Sequence, residues 1–253
     1  MKLIPAVLPI ALLLGGTGLA HGQATVKPDG QFRSVVGLGA SASSGNADAT
    51  HLSITGDGVR ATERDKTTVY GNLQYARTEG ETTAEQLRLG GRQDRNLAGD
   101  LFVFGGLDFE RNRFSNLRLR SQLSGGPGWH VIKSPATTFD VFGGLAYTND
   151  SYFDAMLIDG RSRRSYGYMG LLLGEESTHK LSATTSAKQR LTVLPNLSNS
   201  GEWRASWNGG IAVAMTNVLS LTVGLTVAYN SEPGPGRKKT DTLFTTGLSV
   251  RFD

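Results

Sequence analysis

From Leu219 to Tyr229 every second side chain is apolar (Leu219, Leu221, Val223, Leu225, Val227, Tyr229), and between them stand Ser220, Thr222, Gly224, Thr226 and Ala228. A strand sends successive side chains to opposite faces, so this stretch has one oily face and one small, polar face. After a turn-rich segment the pattern returns, with Phe244, Thr246, Leu248, Val250 and Phe252 against Thr245, Gly247, Ser249 and Arg251. A half-buried hairpin in a soluble sandwich alternates in the same way, oily face inward. Length separates the two. About eleven residues at about 3.3 Å each, tilted by about 45°, rise roughly 25 Å, the height of the apolar band of a transmembrane barrel and well beyond a usual soluble strand.

Composition narrows the remaining choices. Hydrophobic residues make up 38% of the 253, and no apolar run reaches the length of a membrane helix, so a membrane protein with this sequence crosses as a barrel. The 33 glycines suit curved sheets and short turns. No cysteine is present, which removes disulfides, thiolate metal sites and a lipid anchor. A formal charge of +4, spread along the chain, leaves no nucleic-acid footprint. Lys2, the apolar run Leu3 to Leu14 and the small-x-small junction Ala20-His21-Gly22 read as a secretory signal peptide over 1–22. A short periplasmic lead over 23–31 then precedes one barrel over 32–253.

Turn signals divide the barrel into about twelve antiparallel strands, and an even number puts the N- and C-termini on the same, periplasmic, side. The connections 149–164 and 231–240 then fall outside, where long loops are expected. On the oily parity the aromatics sort to strand ends, with Tyr75, Phe109, Tyr147, Trp203 and Tyr229 at one set and Phe32, Trp129, Phe139 and Phe252 at the other. Two such girdles mark the boundaries of a bilayer. Trp207, midway along strand ten, is an exception. Strand eight, read as 165–174, has no clear orientation, because Tyr166 and Tyr168 oppose Met169, Leu171 and Leu173. Strands five and seven share a Val-Phe-Gly-Gly-Leu pattern at 103–107 and 141–145, as similar strand positions selecting similar residues would give.

The other parity faces a lumen. It carries Asp57, Arg88, Arg92, Asp94, Asp108, Glu110, Arg118, Arg120, His130, Asp140, Lys188, Arg190, Arg204 and Arg251. Hairpin register sets Glu110 opposite Arg118, Asp108 opposite Arg120 and His130 opposite Asp140. Facing opposite charges brace a sheet, and an excess of cations would line a narrow, anion-leaning passage. Catalysis is not expected. His51 and His130 take lumen positions and His179 a turn, away from any lipid-facing serine, and arginines beside Asp108 and Glu110 hold both carboxylates ionised, which spoils a general acid. No metal or cofactor site is read. Two basic clusters, Arg161, Arg163 and Arg164, then Arg237, Lys238 and Lys239, lie in external loops, where they are expected to meet lipopolysaccharide phosphates. The ending Thr245, Gly247, Val250, Phe252 is similar to the C-terminal signal read by the outer-membrane insertion machinery, with Asp253 following the aromatic.

Several stretches also resemble a family. Gly37-Leu38-Gly39-Ala40-Ser41, Ser44-Gly45-Asn46-Ala47-Asp48, Arg64-Asp65-Lys66, Tyr70-Gly71-Asn72, Gly90 to Arg95 and Phe104 to Arg111 are similar to the bacterial domain-of-unknown-function family described as salt-induced outer-membrane proteins. The resemblance spans most of the mature chain. It implies an outer-membrane barrel in a Gram-negative cell and supplies no catalytic or ligand residues. The expected object is therefore a non-enzymatic outer-membrane barrel, structural or a narrow passive pore, tied to envelope or osmotic stress. Its oligomeric state is open. The alternatives are a soluble periplasmic carrier of an apolar ligand, a lipid-modifying barrel enzyme and an adhesin-like surface protein.

Overall fold

Strands form wherever the period-two alternation runs unbroken, and they stop at Gly, Asn, Asp and Pro clusters. The computed structural model describes residues 26–43, 49–158, 160–233 and 238–252. The segment 1–22 expected to be a signal peptide, with its expected cleavage junction, the 44–48 part of the family-like stretch, Arg237 and Asp253 lie outside the described residues. The elements are β1 (Phe32–Ser43), β2 (Ala49–Ala61), β3 (Asp65–Thr78), β4 (Glu81–Asn96), β5 (Leu101–Asn112), β6 (Leu117–Lys133), β7 (Thr137–Ile158), β8 (Arg161–Lys180), β9 (Thr185–Pro195), β10 (Trp203–Ala214), β11 (Leu219–Asn230) and β12 (Thr240–Phe252). Each pairs antiparallel with its sequence neighbours, and β12 pairs with β1 from Ser34↔Phe252 to Leu38↔Leu248, closing a twelve-stranded barrel.

Both ends of the barrel sequence, Phe32 and Phe252, lie at one rim, here the terminal rim. Its turns run three or four residues, whereas those at the opposite rim run from two to nine. The two-residue turn Glu79-Gly80 has φ of 52° and 82°. Positive φ at both central residues matches the twist of the flanking strands in a tight hairpin, and glycine adopts it without steric cost.

Burial fixes which parity faces in. On β11, Ser220, Thr222 and Thr226 are 8%, 6% and 2% exposed, while Leu221, Val223 and Leu225 are 43%, 38% and 37% exposed. The oily face therefore points outward on an unpartnered surface, the reverse of a soluble sandwich. Phe32, Tyr75, Phe109, Trp129, Trp203 and Phe252 are exposed near strand ends, as two girdles require, while Tyr147, also exposed, lies midway along β7 because that strand runs on to Ile158.

Three sequence expectations need correction. The 149–164 connection is not a loop: β7 and β8 continue to Ile158 and Arg161, re-pairing as Met156↔Arg163 and Ile158↔Arg161 beyond a bulge after Ser151. They form a two-stranded ribbon standing past the rim, because strands pair through their backbones and the ladder needs no oily face on either arm. β8 does have an orientation. Tyr166 and Tyr168 point in, 8% and 3% exposed and stacked at 5.1 Å, while Met169 and Leu173 face out. The register of β5 on β6 is shifted by two residues: Glu110 opposes Arg120 and Asp108 opposes Gln122. An irregularity between Glu110 and Asn112, where Asn112 pairs with Leu117, absorbs part of the difference, since a bulge places an extra residue on one strand. Arg118 consequently leaves the lumen pairing and lies exposed, donating from Nε and Nη2 to Ser151 Oγ at 3.1 and 2.8 Å.

Candidate functional site: the lumen

The inward parity gives the lumen two unlike walls. β10, β11, β12, β1 and β2 contribute mainly small groups, among them Ser206, Gly210, Thr222, Gly224, Thr245, Gly247, Gly37, Ser53 and Thr55. β3 to β9 contribute most of the large side chains, with Arg33 and Val35 on β1, Val59 on β2, Arg204 on β10 and Leu243 on β12 among the exceptions. Near the small wall a water-sized cavity of about 20 Å³ is lined by residues including Gly37, Ser53, Asn72, Thr222 and Gly247.

The charged wall is organised in tiers. Towards the opposite rim Arg120 donates from Nε and Nη2 to Asp150 at 2.7 Å each, and its Nη1 lies 3.6 Å from Glu110. Two parallel N–H···O bonds fix both planes, the geometry a guanidinium gives best. Arg204 lies over the Tyr168 ring at 5.2 Å. On the turn beside this tier, outside the strands, burial pushes the Glu202 carboxyl above the usual carboxylate range, and Asn196 Nδ2 donates to it at 2.6 Å. In the middle tier Arg88 Nη2 meets Asp108 at 2.9 Å, and the Tyr70 hydroxyl donates to the same carboxylate at 2.5 Å.

The third tier, towards the terminal rim, is the most crowded. Arg92 lies 4.3 and 4.4 Å from the Phe104 and Phe142 ring centres, which are themselves 5.4 Å apart and edge to face. The repeated Val-Phe-Gly-Gly-Leu pattern thus brings two rings to one depth across β6, where Gly126 and Gly128 leave them room. Arg92 also binds Asp94 at 2.5 Å, and Lys66 Nζ reaches Asp94 at 3.3 Å. Glu176 takes Arg190 at 3.2 Å and interacts with Lys66 and Lys188, so β3 and β8 couple across the lumen. His130 Nδ1 is 2.7 Å from Asp140 Oδ1, the pairing expected from sequence, and its Nε2 is 3.0 Å from Asn96.

Of the residues expected in the lumen, Arg88, Arg92, Asp108, Glu110, Arg120, His130 and Asp140 meet there. Lys66, Asp150 and Glu176 were not expected. Asp150 and Glu176 continue the inward parity of Thr148 and Leu172, a signal hidden because the apolar residues stop and the segments read as turns. The basic external residues are rearranged as well. Arg161, Arg163 and Arg164 sit on a strand, with Arg164 on the ribbon face opposite the other two, and Lys238 and Lys239 precede β12. At the C-terminus Thr245 and Gly247 face in while Val250 and Phe252 face out.

The family described as "Protein of unknown function, DUF481" matches residues 36–252. The chain belongs to this family. That agrees with the resemblance to a bacterial domain-of-unknown-function family read from the sequence. Among relatives of this DUF481 chain is "Uncharacterized protein YdiY" of Escherichia coli strain K12, 24% identical over 247 residues that cover 92% of each chain. Solved structures with a similar fold include the translocator domain of the autotransporter NalP from Neisseria meningitidis, at TM-score 0.52 and 16% identity over 96% of this chain and 90% of that one. The COG4313 outer membrane channel from Pseudomonas putida F1 follows at TM-score 0.50 and 12% identity over 92% and 98%. At these identities the likeness is one of fold, and the DUF481 fold here is that of a Gram-negative outer-membrane barrel.

Proposed function

We propose that this barrel is a non-enzymatic outer-membrane protein whose lumen is a narrow, passive, anion-leaning pore, with the termini in the periplasm. The observation that carries the reading is that charged side chains deep on the inward face keep accessible surface: the Lys66, Arg88 and Arg190 side chains are 30%, 23% and 32% exposed. A lumen packed solid would bury them. Around the third tier Lys66, Arg92, Lys188 and Arg190 stand against Asp94, Asp140 and Glu176, four cations to three carboxylates. A ring of charge in a narrow, low-dielectric passage selects ions of opposite sign. The carboxylates Asp108 and Glu110 are each engaged by an arginine, an arrangement that suits bracing and gives no free acid or base for hydrolysis.

Planar-bilayer recording of refolded protein tests this. Small conductance steps with a reversal potential favouring anions are expected, and Lys188→Glu with Arg190→Glu should move that potential towards cations. Refolded wild-type barrels that never conduct would sink the pore and leave a filled, structural barrel.

With the termini in the periplasm, the β7–β8 ribbon stands outside the cell. In this reading Arg161, Arg163 and Arg164 on the ribbon, with Lys238 and Lys239 before β12, bind lipopolysaccharide phosphates through charge-assisted hydrogen bonds. Replacing all five by Gln should lower the lipopolysaccharide that co-purifies with the barrel several-fold, and unchanged co-purification would remove the idea.

A further inference from the structure

Between the girdles the outer surface is mainly apolar or small; Gln93 on β4, which accepts from the Thr67 hydroxyl, stands alone among apolar neighbours, and the one linked cluster of polar side chains among the described residues there lies on the β8–β10 flank. On β8, Glu175 shares the outward parity of Leu173, which is 46% exposed; its partners are Val141 and Leu191. Gln189 on β9 and Trp207 on β10 share that face. The three form a relay: Trp207 Nε1 donates to Gln189 Oε1 at 2.9 Å, and Gln189 Nε2 donates to Glu175 Oε1 at 3.0 Å. Trp207 is the aromatic that breaks the girdle rule, and its ring lies against Gly209 along the sheet, where a Cβ would overlap it.

The relay sits deep. Gln189 pairs with Gly209, which stands midway between Trp203 and Met215, the residues bounding the outward row of β10. Ile211 and Val213 continue that row towards the terminal rim, 47% and 38% exposed, so the cluster is inside the apolar band and not at its edge. Hydrocarbon offers no partner to a carboxylate or an amide, and polar groups at that depth face protein or water almost without exception.

We infer that the outer faces of β8, β9 and β10 form a two-fold interface with a second copy of this chain. The inference rests on the barrel being membrane-embedded and is independent of whether its lumen conducts. The patch is polarised, with an acceptor on β8 and amide donors on β9. A two-fold axis along the membrane normal keeps both copies at equal depth and exchanges the flanks, so each carboxylate meets the donor side of its mate. An isologous contact has this self-complementarity by symmetry. An amide donates two hydrogens, and the relay uses one. Ala187, Ala205 and Gly209, outward on β9 and β10, permit close approach of the two sheets, as small residues do between membrane segments.

The chain has no cysteine, so single cysteines report cleanly. Full-length protein in lipid vesicles carrying Leu191→Cys should oxidise to a covalent dimer, while Leu73→Cys on β3, across the barrel, should stay monomeric. Glu175→Leu combined with Gln189→Leu should lower the dimer fraction in mild detergent at least tenfold while the heat-modifiable folded band on a gel persists. Equal cross-linking at both positions, none at Leu191→Cys, or a dimer unaffected by the apolar pair would overturn the interface. Extraction of the protein into buffer without detergent would instead remove the membrane reading on which it rests.

Discussion

Gly144→Val is expected to abolish the closed barrel, leaving no heat-modifiable folded species in lipid or detergent. The β6–β7 pair is closest at Gly125-Gly126 and Gly143-Gly144, where a Cβ on Gly144 would overlap the Gly125 carbonyl and one on Gly126 would overlap the Gly143 carbonyl. The obstacle in each case is backbone, which cannot swing aside as a side chain does. In an open sheet an edge could splay. Here β6 and β7 are each paired on both sides within a closed ring, so separating them strains every ladder around it. The cost should exceed the about 1–3 kcal/mol of ordinary overpacking. Gly105→Val is the control: nothing lies within 4 Å of its Cβ position, and valine suits a strand, so a change within about 0.5 kcal/mol is expected in reversible urea unfolding. A Gly144→Val barrel as stable as wild type would refute this account of the β6–β7 contact.

The second large effect is in the lumen. Arg120→Met removes the only guanidinium within salt-bridge distance of Asp150 among the described residues, and that carboxylate is 4% exposed. Glu110, 12% exposed, loses its ion pair too. Breaking a buried pair by deleting one partner costs about 3–5 kcal/mol, because the remaining charge stays desolvated. Arg113→Met, which removes the exposed rim contact with Glu85 at 3.8 Å, should cost at most about 1 kcal/mol. Adding Asp150→Asn to Arg120→Met should recover much of the first loss. Equal effects of the two arginine changes would mean that the lumen pair is as well solvated as the rim pair, and the tiered network would carry little stability.

Alternation carried most of the architecture. The parity of β11 and β12 alone places Thr245 and Gly247 inside and Val250 and Phe252 outside, and repeating that reading along the chain yields twelve strands and an inward set containing Arg88, Arg92, Asp108 and Glu110. His130 and Asp140 were also legible as a pair, because a short turn fixes which residues of β6 and β7 face each other. The same reasoning misplaced Glu110 against Arg118. A shift of two residues leaves every side chain on its own face, so a period-two signal cannot detect it, and only the turn and the bulge between Glu110 and Asn112 decide the partner. Asp150 and Glu176 were missed for a related reason: alternation among polar residues carries no hydrophobic contrast, although the backbone pairs there as it does elsewhere.

What the chain by itself determined is thus local: which side of each strand is oily, where turns fall, and that the oily sides together are too long and too numerous for a soluble sheet. Tertiary structure decided what lies opposite what. Closure brings β3 within electrostatic range of β8, so that Lys66 interacts with Glu176 across the lumen, and lays Arg92 against Phe104 and Phe142. Those contacts depend on the stagger and curvature accumulated over all twelve strands, which no single hairpin encodes.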